Sequence, residues 1–173
     1  MGADRVAALA GAYSLAMILG ALGFQYVGGI LPCEMCHWQR WPHDAAIVLG
    51  LGGAVLYQAR LINRDLVRIF AWLALAAIAA TALIGLDQAL VEWKLLPGPS
   101  SCTGQRFVPT GNLNLNLDDE VVPCDVVQWQ LFGISLAGYN FLCSMGAAIL
   151  GTLLLTRRIV VPARWLPKWA RET

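Results

Sequence analysis

Four stretches of this chain contain no Asp, Glu, Lys or Arg: residues 6–30, 45–59, 69–86 and 126–156, which are 25, 15, 18 and 31 residues long. A helix that crosses a bilayer needs about 20 apolar residues, within a range of about 17 to 25. The first, third and fourth stretches reach that length. The second does not, so its helix is expected to start earlier, between Trp38 and Asp44. Pro42 suits only the first turn of a helix and disfavours helix at Trp41, which places that start near Trp41. Lipid supplies no partners for exposed backbone groups, so spanning segments are helices or closed barrels. None of the four stretches alternates with period two, so helices are expected. Charged residues make up 13% of the chain, against roughly 25% in soluble domains.

These features predict an all-α membrane protein, a four-transmembrane-helix bundle forming a single integral-membrane domain over residues 1–173. The spans are expected at 6–29, 41–59, 67–87 and 128–155, with loops at 30–40 and 88–127. Gly11, Gly20, Gly52, Gly53, Gly133, Gly138 and Gly146 lie in these segments, where small residues let helices approach closely.

Lys and Arg divide unevenly between the two sides. Arg5, Arg60, Arg64, Arg68, Arg157, Arg158, Arg164, Lys168 and Arg171 fall on one side, nine in all, and Arg40, Lys94 and Arg106 on the other. The positive-inside rule places the first set, and with it both termini, in the cytoplasm. The two remaining loops face outward. The first apolar run is longer than a signal-peptide core and is read as an uncleaved anchor. The lipid bilayer is the expected surroundings, and no nucleic-acid partner is expected.

Four of the five cysteines lie in the two outward loops: Cys33 and Cys36 in the first, Cys102 and Cys124 in the second. Disulfides form and persist on an oxidising side of a membrane. Cys143 lies within the fourth apolar stretch, where a lone cysteine packs as a small apolar side chain. Cys102 and Cys124 can simply staple the long loop. "LPCEMCHWQR" at residues 31–40 carries a C-x-x-C pair, a spacing shared by metal sites, haem attachment and thiol redox centres. A zinc site would draw on Cys33, Cys36, His37 and His43, but an oxidising side favours a disulfide over free thiolates, and no metal is expected. A covalent haem would use Cys33, Cys36 and His37, and leaves the second cysteine pair unexplained. The redox reading uses all four cysteines, because a thiolate attacks a disulfide and a second thiol resolves the mixed disulfide. Arg40 follows Cys36 by four residues, so on a helix the two share a face, and a nearby cation favours the thiolate. In isolation Arg40 would read as a snorkelling interfacial arginine. Trp38 and Trp41 fit an interfacial aromatic belt, and one of them can line a flat pocket. His37 and His43 read as exposed, with proton relay as the alternative.

These residues resemble the DsbB family of bacterial inner-membrane, quinone-dependent disulfide oxidases. The resemblance rests on four spans, on "PCEMCHWQR", on the paired Cys102 and Cys124, and on "QWQLFGISLAGYN" opening the last span. It implies that the chain reoxidises a periplasmic DsbA-like thioredoxin-fold protein and passes electrons to ubiquinone or menaquinone. It further implies that Cys102 is attacked by the partner, that Cys124 pairs with Cys102, and that Cys33–Cys36 reoxidises that pair. Cys36 then meets the quinone as a thiolate beside Arg40, with Trp38 as a further candidate at that pocket. Some members of the family carry a histidine near the end of the third span. This chain has Glu92 and Trp93 there, which leaves its proton donor to the quinone open.

Rival readings are a vitamin K epoxide reductase-like quinone reductase, a membrane-anchored c-type haem protein, and an assembly protein with two structural disulfides. In the first of these families the C-x-x-C pair comes near the last span, whereas here it precedes the second. The stretch 87–125 has six acidic residues against Lys94 and Arg106, and its segment 112–122, "NLNLNLDDEVV", can lie on a membrane surface or dock a partner.

Overall fold

The computed structural model describes residues 2–103 and 122–156. Four helices carry the fold: α1 (Ala3–Tyr26), α2 (Glu34–Gln58), α3 (Arg64–Glu92) and α4 (Leu136–Leu155). α1, α3 and α4 are each long and apolar enough to cross a membrane. At 1.5 Å rise per residue, even the 20 residues of α4 extend about 30 Å. Successive helices run antiparallel, because contacts ascending one helix descend the next. Gly11 of α1 meets Gly50 of α2, while Ser14 meets His43. Thr81 of α3 bonds Asn140 of α4, while Leu75 meets Gly151.

The interior is built from small residues. Ala7, Ala46, Ala71, Ala74 and Ala82 are fully buried, whereas Leu19, Val48, Leu73, Leu83 and Ile149 are exposed. That inversion suits lipid, where tails are as apolar as leucine and helices associate by close packing. A close approach lies between α1 and α2. A Cβ on Gly50 would stand 2.5 Å from the Ala7 carbonyl oxygen and 2.7 Å from the Gly11 nitrogen, both backbone atoms. Neither can turn aside, so the helices would have to separate. Gly50→Val is expected to lower stability by about 1–3 kcal/mol, the usual range for overpacking. The check is the denaturation midpoint in detergent; a midpoint equal to wild type would contradict this packing. Gly11 and Gly53 also meet neighbouring helices. Gly20, Gly52 and Gly146 face open space, so the expected close approach does not occur there.

Three element boundaries depart from the sequence expectation. α2 starts at Glu34 rather than near Trp41, and Pro42 lies inside it. Cys33 makes the early start possible: it is the N-cap, and its sulfur accepts from the Cys36 N–H at 3.2 Å. Proline inside a membrane helix is tolerated where neighbouring side chains serve the disturbed turn. Here the Thr81 hydroxyl donates to the Gln39 carbonyl at 2.8 Å, one residue beyond the Trp38 carbonyl that Pro42 cannot serve. α3 continues through Glu92, so the first residues of the expected 88–127 loop are helical. α4 starts at Leu136 instead of 128, because a short antiparallel hairpin precedes it, pairing Gln130 with Ser135 and Leu131 with Ile134. Its two turn residues, Phe132 and Gly133, both have positive φ, 51° and 76°. That is the conformation a two-residue hairpin needs to match strand twist.

Candidate active site

The two cysteine pairs meet at one end of the bundle. Cys102 and Cys124 form a disulfide, and the Cys124 N–H donates to the Cys102 carbonyl at 2.8 Å. Both are buried in one cluster with Cys33, Met35 and Val91, and Cys36, Trp38 and Val122 pack against it. Lys94 fixes the Cys124 segment to the end of α3. Its ammonium donates to the Asp125 carbonyl at 2.7 Å and to the Asp125 carboxylate at 2.5 Å. The same contact holds the Asp125 carboxyl below its ordinary range.

Cys33 and Cys36 are thiols in this structure, Cys33 buried and Cys36 half-buried. Cys33 caps α2 and Cys36 lies in its first turn, at the bundle end that carries the Cys102–Cys124 disulfide. A hydrogen bond from the Cys33 thiol lowers the Cys36 pKa to about 6 against the opposing effect of burial, and the Gln88 amide acts in the same direction. That same hydrogen bond, together with burial, raises the Cys33 thiol well above its usual range. The first turn of α2 also favours negative charge at this position. The pair is thus asymmetric: Cys36 is the ionised, accessible sulfur and Cys33 holds the proton. Alkylation of the reduced protein is expected to reach Cys36 first, with a rate midpoint near pH 6 rather than near the ordinary thiol value of about 8.5. A pH series with a small alkylating reagent and peptide mapping measures this. A midpoint above about 8 would contradict the asymmetry.

Cys36 opens on a cavity of about 360 Å³ lined by residues of all four helices. Its walls are apolar, including Phe24, Leu31, Trp129 and Leu136, and its polar edge carries Arg40 and Glu92. Phe24 and Trp129 pack with ring centroids 5.0 Å apart. Arg40 and Cys36 lie four residues apart on α2 and both border the cavity, as the sequence spacing suggested. The Arg40 guanidinium donates to the neutral Gln25 side chain at 2.8 Å, and among the described residues it forms no ion pair.

Trp38 packs on the sulfur cluster and is not among the cavity walls. Trp41 is exposed. His43, expected near the outer boundary, is only 4% exposed, because Ser14 and Asn140 bind its two ring nitrogens at 3.2 Å each. His37 is exposed. The four residues of the zinc reading are therefore spread over different surroundings. Among the described residues, no three His, Cys, Asp or Glu side chains are grouped to hold a metal. Cys143 borders the cavity from α4. Segment 112–121, Arg106 and the basic C-terminal residues from Arg157 onward lie outside the described residues.

Sequence reasoning missed a buried chain of amides. Asn140 Nδ2 donates to the Thr81 carbonyl at 3.3 Å, a group that can only accept, and this fixes its orientation. It also donates to Gln39 Oε1 at 2.7 Å, and Gln39 Nε2 donates to Gln88 Oε1 at 2.6 Å. Gln88 Nε2 is then aimed at Cys33 Sγ at 3.4 Å, Cys36 Sγ at 3.5 Å and Glu92 Oε1 at 3.2 Å. The signal was present in the sequence: Thr81 and Asn140 are polar residues inside apolar stretches, where such groups are expensive and need partners.

Two sulfur couples in one buried cluster, on a bundle of apolar helices and beside an apolar cavity, define a membrane-embedded thiol–disulfide oxidoreductase. Comparison with known proteins names the family. The model of the family "Disulfide bond formation protein DsbB" matches residues 3–154. The chain is 27% identical over 161 residues to disulfide bond formation protein B of Polaromonas sp. (strain JS666 / ATCC BAA-500), covering 88% of this chain and 90% of that one. It is 30% identical over 165 residues to the protein of that name from Verminephrobacter eiseniae (strain EF01-2), covering 87% and 83%. With that of Vibrio vulnificus (strain CMCP6) it shares 32% identity over 123 residues, 67% of each chain. No solved structure gives a significant match. The chain belongs to the DsbB family and is an integral-membrane disulfide oxidoreductase. The haem and vitamin K epoxide reductase-like readings gain no support.

Proposed function

We propose that the chain draws electrons from a periplasmic DsbA-like dithiol protein through Cys102–Cys124, passes them to Cys33–Cys36, and delivers them to a membrane quinone. The observation that carries this reading is the common cluster. The Cys102–Cys124 disulfide and Cys33 are buried together, while Cys36 alone of that set borders the apolar cavity. Electrons that enter at one couple therefore leave by the other on the lipid side. In this reading residues 30–40 and 88–127 face the periplasm, both termini face the cytoplasm, and the membrane is the bacterial inner membrane.

The catalytic residues are Cys33, Cys36, Cys102 and Cys124. Cys102 takes the attack of the partner thiolate and Cys124 is released. The Cys102–Cys124 pair, once reduced, is reoxidised by the Cys33–Cys36 disulfide, which becomes a dithiol. A cavity of about 360 Å³ with aromatic and aliphatic walls and a cation at its edge suits a flat, apolar ring with carbonyl oxygens. Phe24 and Trp129 would border the ring, with Arg40 and Cys36 at its polar end, while Trp38 supports the sulfur cluster from behind. When bound, a quinone supplies a two-electron, two-proton acceptor. Arg40 stabilises the Cys36 thiolate and negative charge developing at the carbonyl end of the cavity.

The test is anaerobic quinone reduction by the purified protein in lipid vesicles, with a reduced thioredoxin-fold partner. Quinone absorbance is expected to fall in step with partner thiols. Thiol loss with no reduction of either a benzoquinone or a naphthoquinone would overturn the reading.

A further inference from the structure

One carboxyl group at the cavity has no evident structural purpose. Glu92, the last residue of α3, borders the cavity that also holds Cys36 and Arg40. Its Oε1 accepts from Gln88 Nε2 at 3.2 Å, and its Oε2 is buried with no hydrogen-bond partner among the described residues. The Ser135 hydroxyl neighbours the carboxyl and also caps α4, accepting from the Gly138 N–H, but it forms no hydrogen bond of good geometry with Oε2. An ionised carboxylate with a bare buried oxygen is strongly disfavoured, whereas a carboxylic acid can carry its proton there. Gln88 adds a second constraint. Its amide has two hydrogens but faces three acceptors: Cys33 Sγ, Cys36 Sγ and Glu92 Oε1. A thiolate and a carboxylate held to one amide repel each other, so charge on the sulfur favours the proton on Glu92.

We infer that Glu92 is the acid that supplies a proton to the electron acceptor in the cavity, an assignment that rests on the quinone reading above. When the Cys33–Cys36 dithiol is formed, Cys36 gives its proton to the Glu92 carboxylate and becomes a thiolate. In the delivery step the Cys36 thiolate and the Cys33 thiol form their disulfide. That step releases two electrons to the acceptor together with the Cys33 proton, and Glu92 donates the second proton. The acceptor leaves with two electrons and two protons, and the Glu92 carboxylate is ready for the next Cys36 proton.

The experiment uses the full chain in vesicles, with wild type, Glu92→Gln and Glu92→Asp compared. Infrared spectroscopy of the reduced protein without quinone is expected to show a protonated-carboxyl band that Glu92→Gln lacks. Turnover with a benzoquinone should fall about 100-fold in Glu92→Gln, at the lower end of general acid contributions, with KM for quinone changed by less than about threefold and partial recovery in Glu92→Asp. The wild-type decline of kcat at high pH should disappear in Glu92→Gln. The other titratable groups at the cavity, Cys36, Arg40 and His43 of α2 and Tyr139 and Cys143 of α4, are unchanged in both proteins. A normal Cys102–Cys124 exchange rate with partner thiols would show that the variants are folded. If wild type reduces quinone and Glu92→Gln matches it within about twofold, or if the carboxyl band persists in Glu92→Gln, the assignment is overturned and the quinone reading stands. If wild type reduces no quinone, it is the underlying reading that fails.

Discussion

Cys36→Ser is expected to abolish quinone reduction while sparing the first exchange with partner thiols. Cys36 is the only cysteine of the two couples on the cavity, and Cys33 is only 2% exposed, so no other sulfur of the relay can replace it. Serine keeps the size but neither ionises near neutral pH nor closes a disulfide. Removal of a covalent nucleophile lowers turnover by on the order of 10³-fold or more. The Cys102–Cys124 disulfide remains, so one equivalent of partner thiol should still be consumed in a burst before turnover stops. Sustained quinol formation by Cys36→Ser would show that electrons leave by another route.

Asn140→Leu should cause the largest loss of stability among single changes in the bundle. The Asn140 side chain faces five partners: Gln39, the Thr81 carbonyl and hydroxyl, His43 and Ser144. Its two amide hydrogens and two carbonyl lone pairs bond four of them at a time, and at about 0.6 kcal/mol per bond by double-mutant cycles inside membrane proteins that gives roughly 2 kcal/mol for the set. Leucine would in addition leave the Gln39 and His43 groups facing apolar surface. The effect should extend to chemistry, because Asn140 orients Gln39, Gln39 orients Gln88, and Gln88 Nε2 faces both sulfurs of the C-x-x-C pair. The Cys36 alkylation midpoint is therefore expected to rise along with the drop in unfolding midpoint. A variant with an unchanged Cys36 midpoint would show that the amide chain does not orient Gln88.

The apolar stretches were enough to read helices and their count, because bilayer thickness sets a length that few soluble segments reach. The helix ends were less legible. Pro42 argued for a late start to α2, but a cap by a cysteine sulfur and a hydroxyl from Thr81 on another helix outweighed it. The hairpin before α4 was hidden because Gln130–Ser135 carry no charge and merge with the apolar run that follows. The C-x-x-C pair and the arginine one turn later could be found from spacing alone, since that proximity is local. Gln39, Gln88 and Asn140 could not be linked in the same way. They lie on three helices, and only the antiparallel register brings them together. Glu92 was noted only for standing where a histidine was expected. Its significance depends on burial and on a missing partner, which spacing does not report.

The central claim is that electrons pass between the two sulfur couples, from Cys102–Cys124 to Cys33–Cys36. Its most direct test is an anaerobic single turnover with one equivalent of reduced thioredoxin-fold partner, quenched with acid at intervals and mapped for disulfides by mass spectrometry. The account predicts a transient disulfide joining one cysteine of each couple, followed by one quinol per partner disulfide formed. A Cys102–Cys124 pair that stays reduced while Cys33–Cys36 and the quinone stay oxidised would contradict it.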